Sequence, residues 1–353
     1  MPFEFATAGR IVFGRGEASG IPAAVQALGR RALLVGSERW SHLLPERAAQ
    51  ITVPGEPTLD LARAGTALAR AEACDVVVAI GGGSAIDAGK AIAALAANPG
   101  DVLDYIEVIG AGKPLARRPL PFIAVPTTSG TGAEVTRNAV LGSAEHGVKA
   151  SLRSLTMLPA VAIVDPDLTR SLPREVAAYT GLDALTQLIE PLVSVRANAM
   201  SDMVARQGLG FAVAGIRTLD REAMAQASLL SGMALANAGL GAVHGFAAAI
   251  GGMFPSAPHG AICAALLTPV MRANLAALHS RHPDSPALRI YGELPAVEWV
   301  EETVRQLEIK PLTDYGVDLS RADEIVRRAQ QASSMKGNPV VLTYEELRGA
   351  LAI

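Results

Sequence analysis

Residues 75–84 read DVVVAIGGGS. An apolar, β-branched run that stops at three glycines and a serine is the signature of a buried strand turning sharply into a helix. Glycines let the backbone bend and approach a ligand closely. The helix that follows offers unpaired N–H groups and the positive end of its dipole to an anion, for which a pyrophosphate is the natural guest. A plain strand-to-helix turn is the competing reading. The spacing is neither GxGxxG nor the GK[ST] of a P-loop.

Working outward, short β-branched runs recur at Arg10–Phe13, Ala32–Val35, Phe122–Val125 and Val161–Val164. Ala-rich stretches with helical apolar spacing lie between several of them, at Ile21–Leu28, Leu61–Ala71 and Ala85–Ala97. Alternation of this kind predicts a mostly parallel sheet covered by helices, and the nearly continuous apolar runs suit strands buried on both faces. After Asp165-Pro166 the strand-like runs give way to long Ala/Leu/Met stretches, such as Ala177–Val193, Arg221–Ala236 and Gly260–Ala276. The expected architecture is an α/β dinucleotide-binding domain over residues 1–165 and an all-α metal- and substrate-binding domain over residues 166–353. A cleft between two such domains is the natural place for a site.

Composition narrows the function. The 353 residues are 50% hydrophobic and 18% charged, so a large core is available and bulk disorder is excluded. Acidic residues outnumber basic ones, 34 against 31, and no segment concentrates Lys and Arg, which argues against nucleic acid. Cys74 and Cys263 each sit in an apolar run and read as buried thiols in a reducing compartment. Residues 1–16 lack a basic segment followed by an apolar one, and the apolar stretches are all expected to break before about 18 residues. A cytoplasmic protein with no membrane span is the expectation. Exposed apolar helices allow a homodimer.

Two further clusters carry chemistry. Residues 126–132, PTTSGTG, place hydroxyls on a glycine-punctuated loop after the run Phe122–Val125. In a parallel sheet that loop shares an edge with the GGGS turn, where the pair suits a nucleotide better than either does alone. Taken by itself, it reads as readily as a Ser/Thr-rich surface loop. In the helical half, Asp183 and Gln187 are four apart and share a helix face. His244 lies in a loop-like GLGAVHG, and His259 in SAPHGAI fifteen residues later. One carboxylate, one amide oxygen and two imidazoles suit a divalent metal, although a His beside Gly or Pro is also an ordinary capping or packing residue.

Together GGGSAIDAGK (81–90), PTTSGTGAEVT (126–136), TGLDALTQLIE (180–190), His244-Gly245 and Pro258-His259-Gly260 resemble, in order, the iron-containing (group III) alcohol dehydrogenase family, which includes maleylacetate reductases. The resemblance implies NAD or NADP bound by Gly82, Gly83 and Ser84, lined by Thr127, Thr128 and Thr131, with Asp87, Asn138 and Lys149 nearby. It implies a divalent metal, Fe²⁺ or Zn²⁺, on Asp183, Gln187, His244 and His259. Gln187 stands where the family usually has His, and Ala248 where many members carry a second His that relays protons. Ser37 occupies a position where NAD-preferring members often have Asp; Arg39 suits a 2′-phosphate and Glu38 suits ribose hydroxyls, so the choice between NAD and NADP stays open. The implied activity is hydride transfer between nicotinamide and a small alcohol or aldehyde. A maleylacetate reductase is the alternative within that chemistry; a NAD-using lyase and a nucleotide-binding protein without catalysis are the alternatives outside it.

Overall fold

A computed structural model of the chain describes residues 2–351. Six strands form one parallel sheet: β1 (Arg10–Phe13), β2 (Ala32–Gly36), β3 (Ala49–Ile51), β4 (Val76–Gly81), β5 (Phe122–Pro126) and β8 (Val161–Val164), in the spatial order β1-β8-β5-β4-β2-β3. The runs anticipated from sequence are all present. The register pairs Gly36 with Ile80 and Gly81 with Pro126, so the loops after β2, β4 and β5 leave from one edge. Gly36 has φ +151°, and a Cβ there would meet the Ile80 carbonyl oxygen at 2.2 Å, so glycine alone fits where β2 leaves the sheet.

Alternate residues of each strand enter different layers, as the period of two demands. Leu34, Val76, Val78, Ile80 and Ile123 pack with Ile21 and Val25 of α1 (Ile21–Leu28). Leu33, Val35, Val77, Ala79 and Phe122 pack on the other face with α2 (Leu59–Ala71) and α3 (Gly83–Ala97). The chain crosses from β1 to β2 through α1, then works back through α2 and α3. Right-handed crossovers in opposite directions place those helices on opposite faces. Gly89 lets α3 lie close on the sheet, since a Cβ would meet Phe122 at 2.7 Å and Ala79 at 2.9 Å.

Sequence periodicity missed an antiparallel hairpin, β6 (Asn138–Ser143) and β7 (Val148–Arg153), and the three-residue β3. The hairpin packs Ala139, Leu141, Ala150 and Leu152 against Ala91, Ala94 and Leu95 of α3. A buried ion pair pins it there. Lys90 is 1% exposed, and its Nζ donates to Thr136 Oγ1 at 2.7 Å, to the Asn138 carbonyl at 2.8 Å and to Asp87 Oδ1 at 3.3 Å. The other oxygen of Asp87 accepts from Val140 N at 3.0 Å. Burial pushes the Asp87 carboxyl up and the Lys90 ammonium down, each against the pull of the other.

The remaining helices are α4 (Val102–Tyr105) beside α3, and then α5 (Arg174–Val193), α6 (Ala199–Gly215), α7 (Arg221–Ala238), α8 (Ala242–Met253), α9 (His259–Arg281), α10 (Pro286–Glu293), α11 (Val297–Gln306), α12 (Ala322–Gln331) and α13 (Tyr344–Leu351). By contact the chain divides into residues 6–128 with 132–171, and residues 172–353 with 1–5 and 129–131. The helical unit has one apolar core, to which α5, α8 and α9 each contribute a series of buried residues. Two expectations are corrected here. His244, expected in a loop, lies in the first turn of α8, and His259 is the first residue of α9. Pro269 does not interrupt α9, whose 23 residues are long and apolar enough to cross a membrane; 67% of its most apolar stretch is buried inside the protein, as in a core helix.

Two stability predictions follow from the buried charges. Lys90→Met leaves the Asp87 carboxylate without its cation and should destabilise the protein by about 3–5 kcal/mol, read by urea unfolding. Glu134, 2% exposed, has its carboxyl raised from 4.5 to about 7, chiefly by burial. The folded chain then holds a proton that the unfolded chain releases. This contribution is intact below pH 4.5 and is lost as pH rises through about 7, by up to about 3 kcal/mol. Urea midpoints of wild type and Glu134→Gln should separate between pH 5 and pH 8, wild type becoming the weaker. Midpoints that move in parallel would show that Glu134 ionises at its ordinary value.

Candidate active site

The α/β unit brings its glycine turn against the start of the hydroxyl loop, Thr127 and Thr128, while residues 129–131 group with the helical unit. Thr127 N donates to the Gly81 carbonyl at 2.9 Å, and a Cβ on Gly82 would meet Thr128 Cγ2 at 3.2 Å. Gly82 precedes α3 with no side chain to cap it, so the first-turn N–H groups, beginning with Gly83 and Ser84, are available to an external anion. Thr127 is buried, Thr128 and Thr131 are half-buried, and Gly132 takes the left-handed conformation (φ 58°) that ends the loop. Among the other expected cofactor residues, Ser37 is exposed just beyond β2. Asp87 and the Asn138 carbonyl are engaged by Lys90, and Lys149 pairs with Glu56 at 3.1 Å. Arg39 stacks over Trp40, 4.4 Å from the ring centre, and Glu38 reaches Arg47 at 3.5 Å.

In the helical unit, side chains from three helices converge. Asp183 sits midway along α5. His244 comes from α8, and His259 and Cys263 are one turn apart on α9. One ligand atom from each lies within 4.8 Å of the other three. His244 Nε2 is 3.3 Å from Asp183 Oδ1, and His259 Nε2 is 3.8 Å from the same oxygen. Cys263 Sγ is 3.7 Å from His259 Nε2 and 3.8 Å from His244 Nε2. Three members are buried, whereas the His259 side chain is 36% exposed and gives the cluster its opening to solvent.

Local sequence explains the convergence. A Cβ on Gly260 would meet the Tyr179 carbonyl oxygen at 2.7 Å, so glycine lets α9 begin against the backbone of α5 one turn before Asp183. Gly241 leaves room for Glu190 and Asn338, each with an oxygen 2.9 Å from where a Cβ would stand. Those two side chains cap α8: Glu190 Oε1 accepts from Val243 N at 2.8 Å, and Asn338 Oδ1 accepts from Ala242 N at 3.1 Å. The second oxygen of Glu190 accepts a hydrogen bond from His244 Nδ1 at 2.7 Å. That bond fixes the ring and turns Nε2 toward Asp183.

The arrangement suits a cation. Asp183 Oδ1 is buried and accepts no well-formed hydrogen bond, a costly state for a carboxylate oxygen unless a positive charge sits beside it. Burial disfavours the charged Asp183, yet His259 and His244 hold its carboxyl below the usual range. Burial likewise opposes a charged His244, but Cys263, Glu190 and Asp183 outweigh it and hold the imidazole well above its ordinary value. With no cation present, burial pushes the Cys263 thiol up to about 12. Three of the four ligands expected from sequence therefore meet. Gln187, the fourth, is buried one turn beyond Asp183 with its amide oxygen 2.9 Å from Ser231 Oγ. Sequence reading passed over Cys263 as an ordinary buried thiol; its signal was the four-residue spacing from His259 in HGAIC, which puts both on one helix face.

Residues 8–166 match the iron-containing alcohol dehydrogenase family, and residues 177–352 match the C-terminal domain of the Fe-containing alcohol dehydrogenase family. The chain is 38% identical over 269 residues to 1,3-propanediol dehydrogenase of Klebsiella pneumoniae, covering 72% of this chain and 68% of that protein. The crystal structure of a 1,3-propanediol oxidoreductase superposes with a TM-score of 0.85 at 32% identity, over 99% of both chains. Sulfoacetaldehyde reductase from Bifidobacterium kashiwanohense, solved in complex with NAD⁺, superposes with a TM-score of 0.85 at 28% identity, over 99% of this chain and 98% of that one. The two matched segments together take in nearly the whole chain, and the chain belongs to the iron-containing alcohol dehydrogenase family.

Proposed function

We propose that this oxidoreductase is a metal-dependent, NAD(P)-linked dehydrogenase that interconverts a small alcohol and its aldehyde. The observation that carries the reading is the buried, unsatisfied Asp183 Oδ1 facing two imidazole nitrogens and a sulfur. When bound, a divalent ion there supplies Lewis acidity toward the substrate oxygen, and the nicotinamide supplies the hydride chemistry. The chain's own work is positioning. Asp183 provides fixed negative charge, and His244 and His259 provide neutral nitrogen donors. Glu190 locks the His244 ring through Nδ1 and ties it to the start of α8.

The α3 N-terminus of the other unit, with the Thr127–Gly132 loop whose residues 129–131 group with the helical unit, would take the cofactor pyrophosphate. Gly83 and Ser84 offer N–H groups, while Thr127, Thr128 and Thr131 offer hydroxyls. Ser37, at the end of β2, would meet the adenine ribose and sets no charge against a 2′-phosphate. With Ala248 in place of a second imidazole, water or a ribose hydroxyl would carry the proton to the substrate oxygen. A cytoplasmic homodimer remains our expectation for the assembled enzyme.

The reading is tested by following NADH and NADPH oxidation with a panel of short aldehydes, before and after chelation. Chelation should abolish turnover, and added Zn²⁺ or Fe²⁺ should restore it; full activity in metal-free protein would overturn the proposal. Maleylacetate belongs in the same panel, because reduction of it alone would identify the alternative reductase. Glu190→Gln offers one acceptor oxygen where two donors must be met, and should weaken metal retention about 10–100-fold in a chelator competition. Ser37→Asp should raise the KM for NADPH at least about tenfold while sparing NADH, as expected for a carboxylate set against a 2′-phosphate.

A further inference from the structure

We infer that Cys263, as a thiolate, replaces Gln187 as the fourth protein ligand and makes this a sulfur-containing, zinc-preferring centre. The inference rests on the metal-centre reading above and extends it to the identity of the ion. At ordinary zinc bond lengths of about 2.0–2.3 Å, neighbouring ligands of a tetrahedron stand about 3.3–3.6 Å apart. The observed edges are 3.3 Å and 3.8 Å from Asp183 Oδ1 to the two imidazoles, and 3.7 Å and 3.8 Å from Cys263 Sγ to the same two nitrogens. The sulfur thus stands at about ligand-to-ligand distance from both imidazole nitrogens before any ion is present.

Gln187 is placed differently. Its Oε1 stands in hydrogen-bond contact with Ser231 Oγ, and both residues are buried, so the amide is held as part of the packing between α5 and α7. An amide oxygen is also a neutral donor, whereas a thiolate brings charge. Asp183 and Cys263 together bring two negative charges to the ligands of a divalent cation, where Asp183 with an amide brings one. A soft sulfur donor favours Zn²⁺ over Fe²⁺. On binding, the S–H bond of Cys263 is replaced by a sulfur–metal bond, and the proton leaves to the buffer with no change of oxidation state. The other cysteine, Cys74, lies in the α/β unit and takes no part.

Cobalt(II) reports the ligand directly, because a thiolate bound to it gives an intense near-ultraviolet charge-transfer band. The full-length protein is stripped, loaded with Co²⁺ and analysed for metal content and spectrum, alongside Cys263→Ser and Gln187→Ala. We expect the band in wild type and in Gln187→Ala, and its loss in Cys263→Ser. Cys263→Ser should also bind Zn²⁺ at least about 100-fold more weakly and lose at least about tenfold in its preference for Zn²⁺ over Fe²⁺. Stoichiometric cobalt in wild type without the band would overturn the sulfur ligand and leave the metal centre standing. Loss of metal from Gln187→Ala, with retention in Cys263→Ser, would overturn it in favour of the amide. Wild-type protein that retains no cobalt would overturn both this inference and the metal-centre reading. The wild-type spectrum decides the question even if a variant fails to fold.

Discussion

A carboxylate buried in a largely apolar helix bundle is the constraint around which the helical unit is organised. Asp183 is 1% exposed in a core built from leucine, isoleucine, valine and alanine. Removing such a charge from water is penalised by several kcal/mol unless opposite charge or good donors replace the solvent. The fold answers by directing three helices at one oxygen. Glycines at 241 and 260 remove the bulk that would hold α8 and α9 away, and Glu190 orients the imidazole that faces the oxygen. Packing and electrostatics therefore make the same demand, and both are met where donors for a cation collect.

The α/β unit solves a different problem, presenting neutral donors along an edge. Its parallel register brings the ends of β2, β4 and β5 level, so the loops that follow them stand side by side. The Asp87–Lys90 pair then ties α3 to the hairpin. Burial of this pair does little for stability by itself, but breaking it strands a charge. The glycine turn is thus backed by a helix fixed on two sides, by the sheet through Gly89 and by the hairpin through Lys90.

How much was legible in the sequence depended on how each element is buried. Strands with both faces covered read as unbroken β-branched runs, and all of those appear where expected. β6 and β7 alternate buried and half-buried residues and carry Lys149 and Arg153, so the apolar count stays low. β3 is only three residues long. α8 was hidden by its glycines: 239, 241 and 245 look like loop punctuation until the structure shows Gly241 yielding space to Glu190. Asp183, His244 and His259 were found because their residue types advertise metal chemistry. Cys263 was not, since a cysteine in an apolar run looks the same whether or not two imidazoles stand beside it. Glu190 escaped for the same reason, its role depending on a partner 54 residues away.

The spacing of functional side chains along α5 and α9 carries one more implication. Asp183 and Glu190 lie seven residues apart, and His259 and Cys263 four, so each pair projects from a single stripe of its helix. Sliding either helix by one residue rotates its stripe by about 100° and removes both members together. Misthreaded bundles are thereby penalised twice, through the apolar seam and through stranded polar groups. In these two helices a register error therefore costs apolar contact and polar partnering at once.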